Sequence, residues 1–279
     1  MSLWYSICEL LPGSMLTMDF MKNALLAVLI MGPLFGLLST MVVTGKMSFF
    51  SDALGHSGFT GIAIGVLCGA LAPTLWAVAL AVVFALLFTY VRSRSTHAAE
   101  TVISVFSSTA VALGIFIATL GGSSFTKFNR YLIGDILSVT PRELLLLGIV
   151  LIGVVILWFL ASNRLVLTSV HPQLASSRGI PVRGYETLFT VFIAVVVTLA
   201  MSWVGLMVIN SLLVLPAAAA RNVSRNLRQY HLFSVLMATA AGIAGLVTSY
   251  HLSSSTGAVI SLYLALCFAV TFCFRKRRQ

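Results

Sequence analysis

Charge is what this sequence has least of. Of its 279 residues only 9% are Asp, Glu, Lys or Arg, while 59% are apolar. Soluble domains carry about 25% charged and about 45–50% apolar residues, so the shortage excludes a fold whose whole surface faces water. Acid is scarcer than base, with 7 Asp and Glu against 17 Lys and Arg and a formal charge of +10. The basic residues lie in connections and at the C-terminal tail, not in a patch interleaved with aromatics, which excludes nucleic acid as a partner. The four cysteines, Cys8, Cys68, Cys267 and Cys273, show no CxxC spacing. Three of them fall in apolar runs and read as buried small hydrophobes.

Enzyme signatures are missing too. His97, His171, His231 and His251 lie at loop or segment ends, with no HExxH and no pairing to a nucleophilic serine motif. Gly45-Lys46 is followed by Met47, and no glycine stands five positions before Gly45, so the phosphate-cradling loop is absent. If ATP drives this protein, another chain binds it. No basic stretch precedes an apolar run at the N-terminus, where Glu9 and Asp19 intervene. The first spanning helix, not a cleaved leader, is the expected insertion signal.

Long apolar runs are abundant. Segments 24–43, 58–71, 74–91, 101–120, 143–161, 187–203, 205–220, 231–250 and 256–274 are almost free of charge. Roughly 20 apolar residues rising about 1.5 Å each span a bilayer core of about 30 Å. Continuous runs without two-residue alternation argue for helices over a barrel. The expected fold is all-α, a polytopic bundle of eight or nine transmembrane helices forming one domain over 1–279. Segments 58–71 and 205–220 are short enough to be broken or re-entrant.

Lys and Arg distribute unevenly between the two sets of connections. Thirteen fall in the set holding Lys46, Arg92, Arg164, Arg178, Arg221 and the tail 275–279; four, Lys22, Lys127, Arg130 and Arg142, fall in the other. The rich set is therefore cytoplasmic. Nine crossings put the N-terminal segment 1–22 outside and the tail inside; eight would leave the N-terminal side open. Two connections exceed what a turn needs, the external 121–142 and the cytoplasmic 162–186, and each reads as a docking surface.

Among ionisable residues, Asp52 and His56 are the most informative. Four apart, they share one helix face where a polar loop runs into an apolar segment. Ionisable groups at membrane depth are costly unless they face a cavity or partner. Carboxylate with imidazole suits a divalent first-row metal such as zinc, manganese or iron. The plainer alternative is an Asp capping a helix start beside an interfacial His. Two donors are too few for a closed site, but a two-fold homodimer would supply four. After His56, Ser57, Gly61, Gly65 and Gly69 recur every fourth residue, a small-residue face for close helix packing.

Several blocks resemble the membrane permeases of bacterial ABC importers for zinc and manganese, in order along nearly the whole chain. They are Phe20 to Ala27, Met47 to Gly65 with Asp52 and His56, Tyr131 to Leu137, Val204 to Arg221, and Ser255 to Ala258. The resemblance implies a permease of the bacterial inner membrane, with no catalysis of its own and no permanently bound cofactor. It implies a second permease chain, a cytoplasmic P-loop ATPase that binds ATP, and an extracytoplasmic metal-binding protein. It carries Asp52 and His56 over as metal contacts. It also matches Gln173, Leu174, Ala175, Arg178 and Gly179 to a cytoplasmic coupling helix, with small residues seating it in a groove of the ATPase. His171 and Gln173 stand where acidic residues are usual. The competing expectation is an ion-coupled secondary carrier without ATPase, for which broken helices at 58–71 and 205–220 would serve. An intramembrane metal enzyme at Asp52 and His56 would lack a third ligand and a base.

Overall fold

The computed structural model describes residues 4–5, 18–69, 73–120, 134 and 136–274. Most of the expected N-terminal segment, residues 121–133 and 135 of the external connection, and the tail 275–279 lie outside the described residues. Those described form ten helices and no strand: α1 (Asp19–Thr44), α2 (Phe50–Leu67), α3 (Pro73–Arg94), α4 (Ala99–Leu120), α5 (Pro141–Val170), α6 (Pro172–Ser177), α7 (Val182–Val204), α8 (Leu206–Val223), α9 (Leu227–Leu252) and α10 (Thr256–Cys273), with a 3-10 turn at Ile136–Ser138. All but α2 and α6 are long and apolar enough to cross a membrane, which makes eight.

Burial runs opposite to that of a water-soluble bundle. In the most apolar stretches of α3, α4, α5 and α10 only 22% of residues are buried, and Leu75, Val83, Leu87, Ile152, Phe159, Leu160 and Leu262 all face outward. Such surface would be unstable in water, where burying apolar area is the main favourable term. It is the surface that hydrocarbon tails cover. Cysteines follow the same logic and correct the expectation of burial: Cys68 and Cys273 are exposed and Cys267 is half-buried.

The chain divides into two compact units, one of residues 1–40, 134–156 and 211–279, the other of residues 41–133 and 157–210. In the first unit, α1 lies backbone-close to α9, since a Cβ on Gly36 would stand 2.7 Å from the Cα of Val235. Hydroxyls bridge the same contact, with Ser39 Oγ and Ser234 Oγ 2.8 Å apart and Ser234 donating to the Gly36 carbonyl at 2.7 Å. Small residues permit the approach and hydroxyls satisfy what remains polar. The α9–α10 pair repeats the device through Gly245 against Ile260 and Ser249 against Thr256 at 2.9 Å.

The second unit is built around α2, which packs on α3, α4 and α7. A Cβ on Gly61 would stand 2.6 Å from the Cα of Ala77, and one on Gly65 would stand 3.1 Å from the Cα of Pro73. Gly69 differs. It lies past the helix end at φ +65°, and a Cβ there would meet nothing within 4 Å among the described residues. Its requirement is the left-handed backbone of a helix stop rather than packing. Phe50, Phe88, Phe106 and Phe84 link α2, α3 and α4 in a row, with centroids 4.6, 5.8 and 5.2 Å apart and the last two contacts edge-to-face.

Candidate metal site

The helix carrying Asp52 and His56 begins eight residues before the apolar run that announced it. Phe49 is its N-cap and gives no side-chain cap. Polar residues of the first turns are satisfied inside the chain, Ser51 donating to the Ser48 carbonyl at 3.5 Å and Ser57 to that of Leu54 at 2.8 Å. Asp52 sits in the first turn, where a carboxylate also meets the positive end of the helix dipole. It is nevertheless not the capping residue, and its side chain reaches other helices.

Three groups converge on that carboxylate. Asn210 Nδ2, from the fifth residue of α8, donates to Asp52 Oδ1 at 2.9 Å. Ser107 Oγ, from α4, stands 3.4 Å from Oδ2, and His56 Nε2 stands 3.5 Å from the same oxygen. Both side chains of the pair keep some access to their surroundings, 44% for Asp52 and 25% for His56. One turn on, the single Thr60 hydroxyl proton lies within reach of the carbonyls of His56 and Ala110, 2.9 and 2.8 Å from Oγ1, and the second contact ties α2 to α4. Among the described residues no cluster of three or more His, Cys, Asp or Glu exists. A single chain thus presents one carboxylate oxygen and one imidazole nitrogen, side by side.

Asn210 and Ser107 were not singled out by sequence reasoning. The available signal was chemical: Asn210 is the one amide in the apolar run Leu206 to Ala220, and a lone amide in such a run needs a partner. Ser107 had no comparable signal, because Ser104, Ser107, Ser108 and Thr109 crowd the same helix.

The residues matched to a coupling helix lie together on and just after α6. His171 is its N-cap and Pro172 its first residue, whose fixed φ and missing N–H suit that position. Helix α5 runs on to Val170, so residues 162–170 of the expected loop are helical. Gln173, Leu174 and Arg178 are exposed, whereas Ala175 is fully buried and accepts from the Ile180 N–H at 3.1 Å. Gly179 has φ +73° and open space around it. The small residues therefore serve the chain's own fold: Ala175 seats the short helix and Gly179 reverses the backbone after it. An open groove of about 900 Å³ runs beside α6, lined among others by Ser93, Gln173, Ser177, Arg183 and Glu186.

Eight membrane-length helices, with outward-facing hydrocarbon surface and a carboxylate–imidazole pair, define a multi-pass membrane protein. The chain belongs to the ABC 3 transport family, whose pattern matches residues 17–275. It is 30% identical over 263 residues to the manganese import system permease protein ScaB of Streptococcus parasanguinis, covering 93% of this chain and 92% of that one. It is 27% identical to the high-affinity zinc uptake system membrane protein ZnuB of Haemophilus influenzae, covering 93% and 99%. Among solved structures it is similar to PsaBC from Streptococcus pneumoniae in complex with Fab, with a TM-score of 0.80, 26% identity, and coverage of 98% of this chain and 95% of that one. The family resemblance drawn from the sequence blocks and the all-helical, multi-pass fold are both borne out.

Proposed function

We propose that this chain is the membrane permease of an ATP-driven importer of a divalent first-row cation, zinc or manganese, and that Asp52 and His56 contact the ion in transit. The observation that carries the reading is the 3.5 Å separation of Asp52 Oδ2 and His56 Nε2. Two donors each about 2.1 Å from one cation, at a tetrahedral angle, stand roughly 3.4 Å apart. The pair is spaced for a shared ion and is too long for a strong hydrogen bond. Relatives named for manganese import and zinc uptake support the same cargo.

A second copy of the chain, related by a two-fold axis, supplies the remaining donors. ATP is bound and hydrolysed by a separate cytoplasmic subunit, and α6 with Gln173, Leu174 and Arg178 transmits its closure. An extracytoplasmic binding protein delivers the ion to the other face, in a bacterial inner membrane. A sparse ligand set suits a carrier, since the ion has to leave again. In cells, Asp52→Ala and His56→Ala are each expected to reduce uptake of radioactive zinc and manganese to background while the ATPase still co-purifies. Wild-type uptake in both variants removes the pair from the pathway.

A further inference from the structure

We infer that Asn210 is a positioning residue for the cargo, holding Asp52 so that Oδ2 alone is offered to the ion; the inference rests on the metal reading above. The amide of Asn210 is half-buried, and its nitrogen makes the shortest contact that Asp52 has, 2.9 Å to Oδ1. Its carbonyl oxygen, by contrast, is covered and has no hydrogen-bond partner among the described residues. An unmet buried acceptor is a net cost, and a leucine of similar size at this place would not bear it. The side chain is thus worth its place for the donor half alone.

What the donor does follows from geometry. Occupying Oδ1 leaves the carboxylate one open oxygen, Oδ2, whose contacts to Ser107 and His56 at 3.4 and 3.5 Å are too long to tie up its lone pairs. Asp52 is thereby fixed as a single-oxygen ligand whose free lone pairs face the His56 nitrogen. Turning to clasp the ion with both oxygens would mean weakening or giving up the bond from Asn210. Groups that orient a ligand in this way typically govern metal affinity by about 10–100-fold. The amide arrives from α8, a different helix from the one bearing Asp52 and His56, so a shift that carries Asn210 out of hydrogen-bond reach of α2 would release the carboxylate.

The test uses the permease assembled with its ATPase in nanodiscs, with ⁵⁴Mn²⁺ and ⁶⁵Zn²⁺ binding measured at equilibrium without the delivery protein. Asn210→Ala opens a space and Asn210→Leu fills it, but both lose the N–H donor. The expected result is a similar loss of affinity in the two variants, roughly 10–100-fold, whatever the direction in which each shifts the thermal unfolding midpoint. Unchanged affinity in both variants, while Asp52→Ala abolishes binding, overturns the role of Asn210 and leaves the metal site standing. A loss that follows the fall in unfolding midpoint from variant to variant also overturns it, since packing would then explain the effect. Retained binding in Asp52→Ala brings down the metal site itself, a separate outcome.

Discussion

A Cβ at position 61 would lie 2.6 Å from the Cα of Ala77 and 2.8 Å from the carbonyl oxygen of Trp76. Both are backbone atoms, so neither can step aside as a flexible side chain would. Gly61→Leu therefore has to push α2 and α3 apart, and overpacking of this kind costs about 1–3 kcal/mol. The expected outcome is a lower unfolding midpoint in detergent for Gly61→Leu. Gly153→Leu serves as the control, with a midpoint that does not fall, because no described residue lies within 4 Å of a Cβ at that position in the interior of α5. Much of this was legible from the chain itself: the four-residue spacing of Ser57, Gly61 and Gly65 marks a packing face, and the spacing of Asp52 and His56 marks a shared one. What periodicity along one helix cannot reveal is a partner on another. Asn210 lies 158 positions from Asp52, and only the fold brings its amide to the carboxylate. Gly69 shows the converse limit, since it continues the small-residue spacing yet lies beyond the helix.

Element boundaries depart from the hydropathy pattern where polar residues are satisfied inside the protein. Hydropathy starts the second segment at residue 58, but Ser51, Asp52 and Ser57 find partners within the unit, and α2 begins at Phe50. The same cause extends α5 through Asn163 and Arg164 to Val170, since Arg164 turns its guanidinium to the Tyr185 hydroxyl on α7. The short α6 was expected from resemblance and has its own physical signature, a proline start and a left-handed glycine stop. Gly179 is the more sensitive end. At φ +73° a β-branched residue is strained by about 1–3 kcal/mol, and relief requires the backbone after α6 to turn differently. In proteoliposomes containing both subunits, Gly179→Val is expected to keep basal ATP hydrolysis while uptake falls at least several-fold. Full uptake in that variant would make α6 an ordinary surface turn.

For the whole molecule, the shortage of charge dictates where apolar surface goes, and the proposed pair of donors sets a stoichiometry that can be measured. Among the described residues eight helices meet the length and hydropathy of a span, while α2, of similar length to the shortest of them but rich in glycine and polar residues, does not. That is the physical origin of the alternative between eight and nine crossings: the helix bearing Asp52 and His56 is among the least like a lipid-facing helix. Its interior is mostly covered by the chain's own α3, α4 and α7, so hydropathy is a poor guide to it. Within one chain the described residues bring together only two donors, and first-row cations take four or more. If Asp52 and His56 hold the ion, as proposed above, two copies of the chain would together supply four protein donors. Equilibrium binding to the assembled complex is expected to saturate at one cation per two permease chains. In a mixed assembly pairing one wild-type chain with one Asp52→Ala chain, affinity should fall while the stoichiometry of one ion per pair is kept. Saturation at two ions per pair, with the mixed assembly retaining one site of full affinity, would mean that each chain completes its own site and that the second copy serves only to build the pore.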